Sequence, residues 1–444
     1  MGSIGANNAV ADPTPLFSSR VQKWEPGAIR SLLPLEALPG MISLVAGKPS
    51  PETFPIAEIA ISLKDTPAGT GRIVVDGDEL NQALQYGLPR GNAQLIQVCS
   101  VPYGSKVFRG ASTASMRTEA GRAALAHGSQ ELIHRVIQVF TDPGDPVLLE
   151  TWVSLPLGVA GFLRADGQEL IPVYSDAQGL NPASLEQALS EWPGDSPRPK
   201  VLYTTPTGSN PTGQSCTESR KAEILRLAKR FNFIILEDDA YYYLNYGDDK
   251  QRARSYLALE RDVNGESGRV VRFDSLSKIV SPGMRLGILT AQAAVVDKVV
   301  RITENINLQP SSTTQLLALS LLRHWGQAGF LKHCAEAAEV YRRRRDVFVS
   351  AAERHLQGRA TWVVPTAGMF VWLELKLPPE MDSFELLKSQ GMKNGVLAIP
   401  GVAFMPGNEQ TCYIRVSFSL VPERDMDEAC RRIAGLVDRC ACHS

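Results

Sequence analysis

The cluster Ser275-Leu-Ser277-Lys278 is the first place where residue types and spacing suggest chemistry. A lone lysine after a strand is usually a solvated charge, but here two hydroxyls surround it and Arg285 follows seven residues later. Hydroxyls and a guanidinium can hold one phosphate, and an amine beside them can form an imine with an aldehyde. The cluster therefore predicts a site for a ligand that carries both groups.

Acidic candidates follow the apolar run Phe233-Ile-Ile-Leu236, where Glu237, Asp238 and Asp239 stand together. An aspartate that pairs with a ring nitrogen and a lysine that forms an imine are what pyridoxal 5′-phosphate requires of a protein. Asp238 and Asp239 are both candidates for the ring nitrogen. The two clusters together predict pyridoxal 5′-phosphate as the cofactor.

The elements that position these residues alternate along the chain. The predicted strands cover 146–150, 200–204, 233–236, 269–273, 284–289, 369–375 and 413–418, and the predicted helices cover 128–140, 216–231, 312–356 and 424–437. Short β-rich runs separated by helical patterns are typical of a doubly wound, mainly parallel sheet, which presents functional groups at the carboxyl ends of its strands. The expected class is α/β, with a large cofactor domain and a smaller α+β domain.

The expected domain boundaries follow from the same pattern. Residues 1–60 form an N-terminal arm and part of the small domain, 61–335 the large pyridoxal-phosphate domain, and 336–444 the small domain.

Two further candidate site residues are placed by predicted strands. Asn210, in Asn210-Pro-Thr-Gly213, follows the strand 200–204, and Arg415, in Tyr413-Ile-Arg-Val-Ser417, lies before the end of the strand 413–418.

Composition excludes several classes of partner. The 444 residues contain 46 Lys and Arg against 47 Asp and Glu, so no global charge attracts nucleic acid or an anionic membrane. No apolar run is long enough for a membrane span and no signal peptide is recognisable, so the expected location is the cytoplasm. The tail Cys440-Ala-Cys442-His443 is interpreted as incidental, and no metal site is expected.

The order of the motifs carries a resemblance to a known family. They are Ala46-Gly47-Lys-Pro49, Leu84-Gln-Tyr86-Gly87, Gly128-Ser-Gln130, Asn210-Pro-Thr-Gly213, Asp238-Asp-Ala-Tyr241, Ser275-Leu-Ser-Lys278, Pro365-Thr-Ala-Gly-Met-Phe370 and Arg415. In this order the chain resembles the fold-type I pyridoxal-phosphate enzymes of aminotransferase class I and II, in the branch of fungal aromatic and kynurenine/2-aminoadipate aminotransferases. The resemblance implies an aspartate-aminotransferase-like fold and a homodimer.

The resemblance also implies roles for individual residues. Lys278 would bind the cofactor aldehyde and then move the proton of the substrate. Asp238 would pair with the ring nitrogen, and is favoured over Asp239 because its spacing to Tyr241 places that hydroxyl on the cofactor's phenolic oxygen. Asn210 would donate to the same oxygen.

The remaining roles concern the phosphate and the substrate. The phosphate would be held by Ser129, Gln130, Ser275, Ser277 and Arg285, and by Tyr86 of the other subunit. Arg415 would grip the α-carboxylate of the amino acid in a bidentate fork, and Gly47 and Asn210 would lie beside the substrate. For Tyr86 the alternative is an ordinary core tyrosine.

The sequence departs from the family pattern at the residue that usually stacks on the cofactor ring. In Thr151-Trp152-Val-Ser154-Leu-Pro156, Ser154 stands in the place of the usual tyrosine. Either Trp152 turns inward or another group covers the ring. The segment 99–117 is also unlike the family, and Arg20 or Arg30 of the arm are the cations that could reach a second carboxylate of a substrate.

Three functions remain open at this stage. The main hypothesis is an aminotransferase that moves the amino group of tryptophan, phenylalanine or tyrosine to a 2-oxo acid. Its alternatives are a kynurenine or 2-aminoadipate aminotransferase and a carbon–sulfur lyase that uses the same Lys278 and Asp238. A DNA-binding regulator with this fold is disfavoured, because the family pattern leaves no room for a winged-helix domain and the charge is neutral.

Overall fold

The computed structural model describes residues 9–24, 35, 38–42, 44, 47–66, 69–100, 122–152, 159–247, 252–405 and 409–441. The strands are β1 Ala9–Val10, β2 Glu58–Thr66, β3 Gly69–Asp76, β4 Arg122–Ala126, β5 Pro146–Glu150, β6 Glu169–Val173, β7 Ser175–Asp176, β8 Gly179–Leu180, β9 Val201–Thr204, β10 Ile234–Asp238, β11 Glu266–Ser267, β12 Val270–Ser275, β13 Gly287–Ala291, β14 Ala360–Trp362, β15 Phe370–Leu375, β16 Ile399–Pro400 and β17 Tyr413–Ser417. The α-helices are Ser19–Gln22, Gly77–Leu84, Ala93–Ser100, Ser129–Phe140, Val159–Ala165, Pro182–Ser190, Glu218–Phe231, Tyr256–Asn264, Ala293–Ile306, Ser312–His355, Ser383–Leu386 and Glu423–Ala441.

Internal contacts divide the chain into two units. The first unit contains Met1–Asp142 and Leu257–His333, and the second contains Pro143–Tyr256 and Cys334–Ser444. Each unit therefore joins two separate stretches of sequence. The domain boundaries expected from the sequence group the residues differently and stay a prediction.

The strands β4, β13 and β12 lie side by side in the first unit, with β13 antiparallel to both neighbours. One register row crosses all three strands, because Gly287 pairs with Ala126 on one side and with Ser275 on the other. The helix Ser129–Phe140 begins shortly after β4, and its apolar residues, spaced at the helical period, are buried. This row brings the residues that follow β4 and β12 to the same end of the strands.

The N-terminal segment is docked on the first unit. β1 pairs with β11, and the Phe17 ring packs edge-on against Phe140 at a centroid distance of 5.6 Å. Ser18 donates through its hydroxyl to the Gln138 carbonyl at 2.6 Å. The backbone N–H groups of Ser19 and Arg20 both donate to the carboxylate of Asp142. This part of the arm is therefore fixed by backbone as well as side-chain contacts.

The second unit contains parallel strands in the order β10, β9, β5 and β6. All of β5 and β9 is buried, as expected for strands covered on both faces. The helix Glu218–Phe231 begins after Thr217, whose hydroxyl accepts the N–H of Arg220. It ends at Asn232, which adopts the left-handed conformation with φ 56°.

A second sheet of the same unit has the order β14, β15, β17 and β16 and is antiparallel. Side chains alternate between its faces. Val371, Leu373 and Ile414 belong to an apolar core that also contains residues of the helix Glu423–Ala441. Trp372 and Arg415 are paired in register and so share the opposite face.

The structure differs from the sequence-based elements at two places. β13 begins at Gly287 rather than 284, because Pro282–Met284 forms a 3-10 turn and Arg285 then adopts φ 47°. The long helix Ser312–His355 is interrupted at Gly326, which has φ 58° and ψ -175°. In the described part of the chain, no helix is both long and apolar enough to cross a membrane.

A buried carboxyl lies at the end of β5. Glu150 is only 5% exposed, and its Oε1 accepts the Thr204 hydroxyl at 2.6 Å and the Thr205 N–H at 2.9 Å. Burial raises the pKa of Glu150 from 4.5 to about 7, although the two hydrogen bonds act in the opposite direction. The folded protein therefore holds a proton here that the unfolded chain releases.

Replacing Glu150 should change how stability depends on pH. Because the folded pKa is raised, the contribution of Glu150 to the free energy of unfolding falls as pH rises from 4.5 to about 7 and stays low above that value. Glu150→Gln should remove this fall, which is worth at most about 3 kcal/mol. Denaturant unfolding across this pH range measures it, with Glu169→Gln on the exposed edge of β6 as control. Parallel pH profiles of wild type and Glu150→Gln would contradict the prediction.

Candidate active site

The amino end of the helix Ser129–Phe140 is built for close approach of another group. Gly128 precedes the helix with φ 86°, and no side chain caps the helix there. A Cβ atom at Gly128 would lie 2.4 Å from a terminal nitrogen of Arg285. Glycine suits this position, because the positive φ strains any other residue and a Cβ atom would push the Arg285 guanidinium away.

Arg285 points its guanidinium toward this helix end. One terminal nitrogen lies 3.4 Å from the Ser277 hydroxyl, and the other donates to the His127 carbonyl at 3.3 Å. Ser129 and Gln130 are the first two residues of the helix, where backbone N–H groups point outward and favour an anion. The structure thus brings four of the predicted phosphate ligands together in the first unit.

Lys278 lies in a tight turn just after β12. The 3-10 turn Leu276–Lys278 is capped by the hydroxyl of Ser275, which accepts the N–H of Ser277 at 3.2 Å. Upstream, the Arg272 guanidinium and the Asp274 carboxylate form a buried pair at 2.8 Å. Lys278 is therefore carried on a firmly held strand end, in the same unit as Arg285.

Two of the predicted site residues, Tyr86 and Gly47, are exposed in the first unit. Tyr86 is 56% exposed, so the alternative of a core tyrosine is wrong. Its N–H donates to its neighbour Gln85, and the next residue, Gly87, donates to the side chain of Gln309. Gly47 is exposed, with no atom within 4 Å of the position of a Cβ.

Asp238 ends β10 in the second unit. Its Oδ2 accepts the hydroxyl of Tyr203 at 2.7 Å. Burial, together with the Asp238 charge, raises the pKa of Tyr203 well above its ordinary value, so this hydroxyl stays a donor. Asp239, the next residue, is buried. Tyr241 is buried, and burial with the nearby Asp238 also raises the pKa of Tyr241.

Asn210 and Arg415 meet in the same unit. A terminal nitrogen of Arg415 donates to Oδ1 of Asn210 at 2.7 Å. This contact uses the oxygen of the amide, so its NH₂ group remains the donor end. The two residues are separated by 205 positions in sequence, and only the fold brings them together.

Aromatic rings enclose the Arg415 guanidinium. Its Cζ lies 4.4 Å from the centroid of Phe370 and 5.2 Å from that of Phe404. Such contacts orient a guanidinium without using its hydrogen-bond donors. Burial lowers the pKa of Arg415, which remains a cation, and its Nε has no hydrogen-bond partner among the described residues.

More rings continue this surface. Trp372 stacks on Tyr413 at 5.4 Å and meets Phe404 edge-on at the same distance. Trp152 packs against both Trp372 and Tyr413, at 5.1 and 4.9 Å. We call Phe370, Phe404, Trp372, Tyr413 and Trp152 the aromatic cluster. Ser154, the other candidate for stacking on the cofactor ring, lies outside the described residues.

The two arginines of the N-terminal arm and the cysteine-rich C-terminal tail add little to the candidate site. Arg20 belongs to the docked helix Ser19–Gln22, while Arg30 lies outside the described residues. Cys440 is buried, and Cys442 and His443 also lie outside the described residues. Over the described ranges, no group of three His, Cys, Asp or Glu side chains could hold a metal ion.

Sequence reasoning missed the residues that support the site. The sequence pattern predicts Tyr203 only as part of a buried strand and does not single out Phe404. One signal was available for Tyr203: a polar ring at the end of an otherwise apolar strand, next to the strand that carries Asp238. No local signal marks Phe404, because its role depends on contact with Arg415.

We call the group formed by Gly128, Ser129, Gln130, Ser277 and Arg285 the cradle. It can be tested by adding one methyl group at Gly128. In Gly128→Ala, the new Cβ should displace the Arg285 guanidinium and weaken binding of a phosphate-bearing ligand at least about tenfold, a loss of ~1.4 kcal/mol. Titration of the cofactor-free protein with pyridoxal 5′-phosphate measures this. Gly144→Ala is the matched control, with φ 89° and open space around the position. Equal affinities of the two variants would count against the cradle.

The chain resembles known proteins along most of its length. The family model for aminotransferase class I and II matches residues 78–433. Aminotransferase tdiD of Emericella nidulans is 93% identical over 445 residues, with all of both chains covered. The mitochondrial kynurenine/alpha-aminoadipate aminotransferase of Bos taurus is 34% identical, covering 93% of this chain and 96% of its own.

A solved structure shows the same fold. Aminotransferase Aro8 from Candida albicans superposes with a TM-score of 0.85 at 25% identity, covering 97% of this chain and 99% of that one. This likeness confirms the α/β fold that the sequence predicts. With a family model over most of its length and relatives of this similarity, the chain belongs to the class I and II aminotransferases.

Proposed function

We propose that this aminotransferase uses pyridoxal 5′-phosphate to transfer the amino group of tryptophan, phenylalanine or tyrosine to a 2-oxo acid. One observation carries the proposal: Arg415, a carboxylate-binding side chain, lies between the rings of Phe370 and Phe404 at the edge of the aromatic cluster. A single site thus offers a fork for a carboxylate and an apolar surface for a ring.

The residues of the first unit fit the phosphate and the aldehyde of the cofactor. The space at Gly128, the Arg285 guanidinium and the Ser277 hydroxyl suit a phosphate, together with the helix N–H groups. When bound, the cofactor supplies an aldehyde and a ring that accepts electrons from the substrate. Lys278 would hold that aldehyde and, once displaced by the substrate, carry the proton between the substrate Cα and the cofactor carbon.

The residues of the second unit fit the ring of the cofactor. Asp238 would keep the ring nitrogen protonated, and the Tyr203 hydroxyl fixes the direction of the Asp238 carboxylate. Tyr241 and the amide NH₂ of Asn210 are donors for the phenolic oxygen. The raised pKa of Tyr241 supports this role, because the hydroxyl keeps its proton at neutral pH.

Arg415 would bind the α-carboxylate of the amino acid. Its contact with Asn210 and its two flanking rings hold the guanidinium in one orientation, so little ordering is needed when the carboxylate arrives. The absence of a hydrogen-bond partner for Nε in the described structure leaves that donor for the carboxylate. A planar fork of this kind suits a carboxylate better than a lysine would.

Aromatic substrates are favoured by the cluster and by the relatives. An uncharged ring gains about 25 cal/mol per Å² of apolar surface that it buries. Arg20, one of the two cations considered for a second carboxylate, has its backbone tied to Asp142. The names of the relatives point to kynurenine, 2-aminoadipate or aromatic amino acids, and the rings of the described site suit an aromatic side chain better than the second carboxylate of 2-aminoadipate.

We further propose a homodimer located in the cytoplasm. The exposure of Tyr86 supports the dimer, because a tyrosine that reaches the other subunit's phosphate must project from the surface of its own. Residues Ile42 and Leu44, which are 88% and 96% exposed, add apolar surface to the same unit.

The role of Lys278 predicts where the cofactor is attached. Purified enzyme should show a visible absorbance band, and borohydride should trap the cofactor on Lys278, which peptide mass spectrometry identifies. Lys278→Ala should fold normally but lose the trapped product and turnover. Lys332→Ala, at an exposed position, serves as control. Trapping on another lysine would refute the assignment.

The role of Arg415 predicts both rate and selectivity. Removing one partner of a buried charged pair costs about 2–5 kcal/mol, so Arg415→Ala should lose between about 30-fold and several thousandfold in kcat/KM. The cofactor should remain bound, and Arg415→Lys should recover only part of the loss. A panel of amino donors, assayed with and without a 2-oxo acid, measures these changes.

The same panel separates the competing functions. A transaminase needs the 2-oxo acid and forms no free ammonia, whereas a lyase releases ammonia without it. Tryptophan, phenylalanine and tyrosine should be the best donors. If aspartate, glutamate or 2-aminoadipate outperforms them, the aromatic assignment is wrong while the aminotransferase assignment stands.

A further inference from the structure

We propose that His333 is a positioning residue that fixes the turn carrying Lys278. Its Nε2 lies 2.6 Å from the carbonyl oxygen of Ile279, the residue directly after Lys278. This inference rests on the proposed function, in which Lys278 holds the cofactor. No part of the assignment of Lys278 itself uses His333.

The turn around Lys278 is held at several backbone groups. The Leu276 carbonyl accepts the N–H groups of Ile279, Val280 and Ser281, and the Leu276 N–H donates to the carbonyl of Leu286. The carbonyl of Ile279 points away from this arrangement to His333. Ile279 is thus bound through both its N–H and its C=O, so the two peptide units that flank the residue after Lys278 are held, and the backbone that carries the lysine side chain is restrained.

The chemistry of the contact determines the state of the imidazole. A carbonyl oxygen only accepts hydrogen bonds, so Nε2 of His333 must carry the proton. This holds for the neutral Nε2–H tautomer and for the charged ring alike.

A second contact fixes the imidazole ring. It stacks on the indole of Trp325, with centroids 4.7 Å apart and planes inclined by 24°. The helix Ser312–His355 breaks at Gly326, between these two residues, and the break lets side chains eight positions apart face each other. His333 is thus held by stacking on one side and by Ile279 on the other.

Two substitutions separate the hydrogen bond from the stacking. His333→Phe keeps a flat ring for Trp325 but cannot donate to the Ile279 carbonyl. His333→Gln loses the ring but carries an amide N–H at a similar reach. His324→Phe is the matched control, because His324 makes the same kind of contact, at 3.2 Å, with the Thr70 carbonyl on β3.

The first measurement needs no cofactor. Hydrogen–deuterium exchange of the cofactor-free protein should show faster exchange of the amides of residues 279–281 in His333→Phe than in wild type or His324→Phe. His333→Gln should stay close to wild type. If His333→Phe does not fold, His333→Leu, which also lacks a donor, takes its place in the comparison.

The second measurement uses the loaded enzyme. The pH midpoint of its absorbance band should move in His333→Phe and return in His333→Gln. The kcat of His333→Phe should fall by about 10- to 100-fold with a nearly constant KM for the amino donor, as expected when a reacting group is misplaced by up to about 1 Å. A purely structural role would lower thermal stability without moving the band.

The outcomes distinguish this inference from the proposed function. If borohydride traps Lys278 in wild type and His333→Phe matches wild type in exchange, band and kcat, the positioning role is overturned and the proposed function stands. If wild-type Lys278 is not trapped, the proposed function fails and the inference falls with it. If His333→Gln is defective while His333→Phe matches wild type, the stacking and not the hydrogen bond acts, which also overturns the proposal.

Discussion

The close approach of Gly287 to the Gly128 turn is the constraint on which the first half of the site depends. A Cβ at Gly287 would lie 2.4 Å from the Gly128 carbonyl carbon, so β13 can pass the start of the helix only as glycine. Because Gly287 pairs with both Ala126 and Ser275, this one contact aligns the ends of β4 and β12. The Arg285 guanidinium, the helix N–H groups and the Lys278 turn then come together without further adjustment.

In the second unit, the guanidinium of the half-buried Arg415 must stay charged and in one orientation. Burial disfavours the charge of Arg415 and lowers its pKa, so neighbours must compensate. Asn210 supplies an oxygen at one nitrogen, and Phe370 and Phe404 offer the negative faces of their rings. None of these neighbours is an anion, so none competes with a carboxylate for the guanidinium.

The sequence predicted the fold and the family well because strong local signals carried both. The helix from Ser129 to Phe140 and the strand from Pro146 to Glu150 have unambiguous apolar patterns, and the structure has both. The predicted start of β13 was wrong because Arg285 adopts the left-handed conformation, and the sequence gives no local sign of that conformation in a residue other than glycine. The contact of Arg415 with Asn210 could not be predicted, since it depends on packing between segments that are distant in sequence.

The alternation of the antiparallel sheet separates function from stability. On β15 and β17, Trp372 and Arg415 occupy one face, while Val371, Leu373 and Ile414 pack into the apolar core on the other. Under the proposed function, substitutions on the first face would change which substrate side chains are accepted, while the core residues keep the strands in place. A one-residue shift in register would instead exchange the two faces, burying the charge and exposing the core. Selectivity in this fold can therefore vary widely within a fixed pairing of strands, and the pairing itself is held by residues that never meet a substrate.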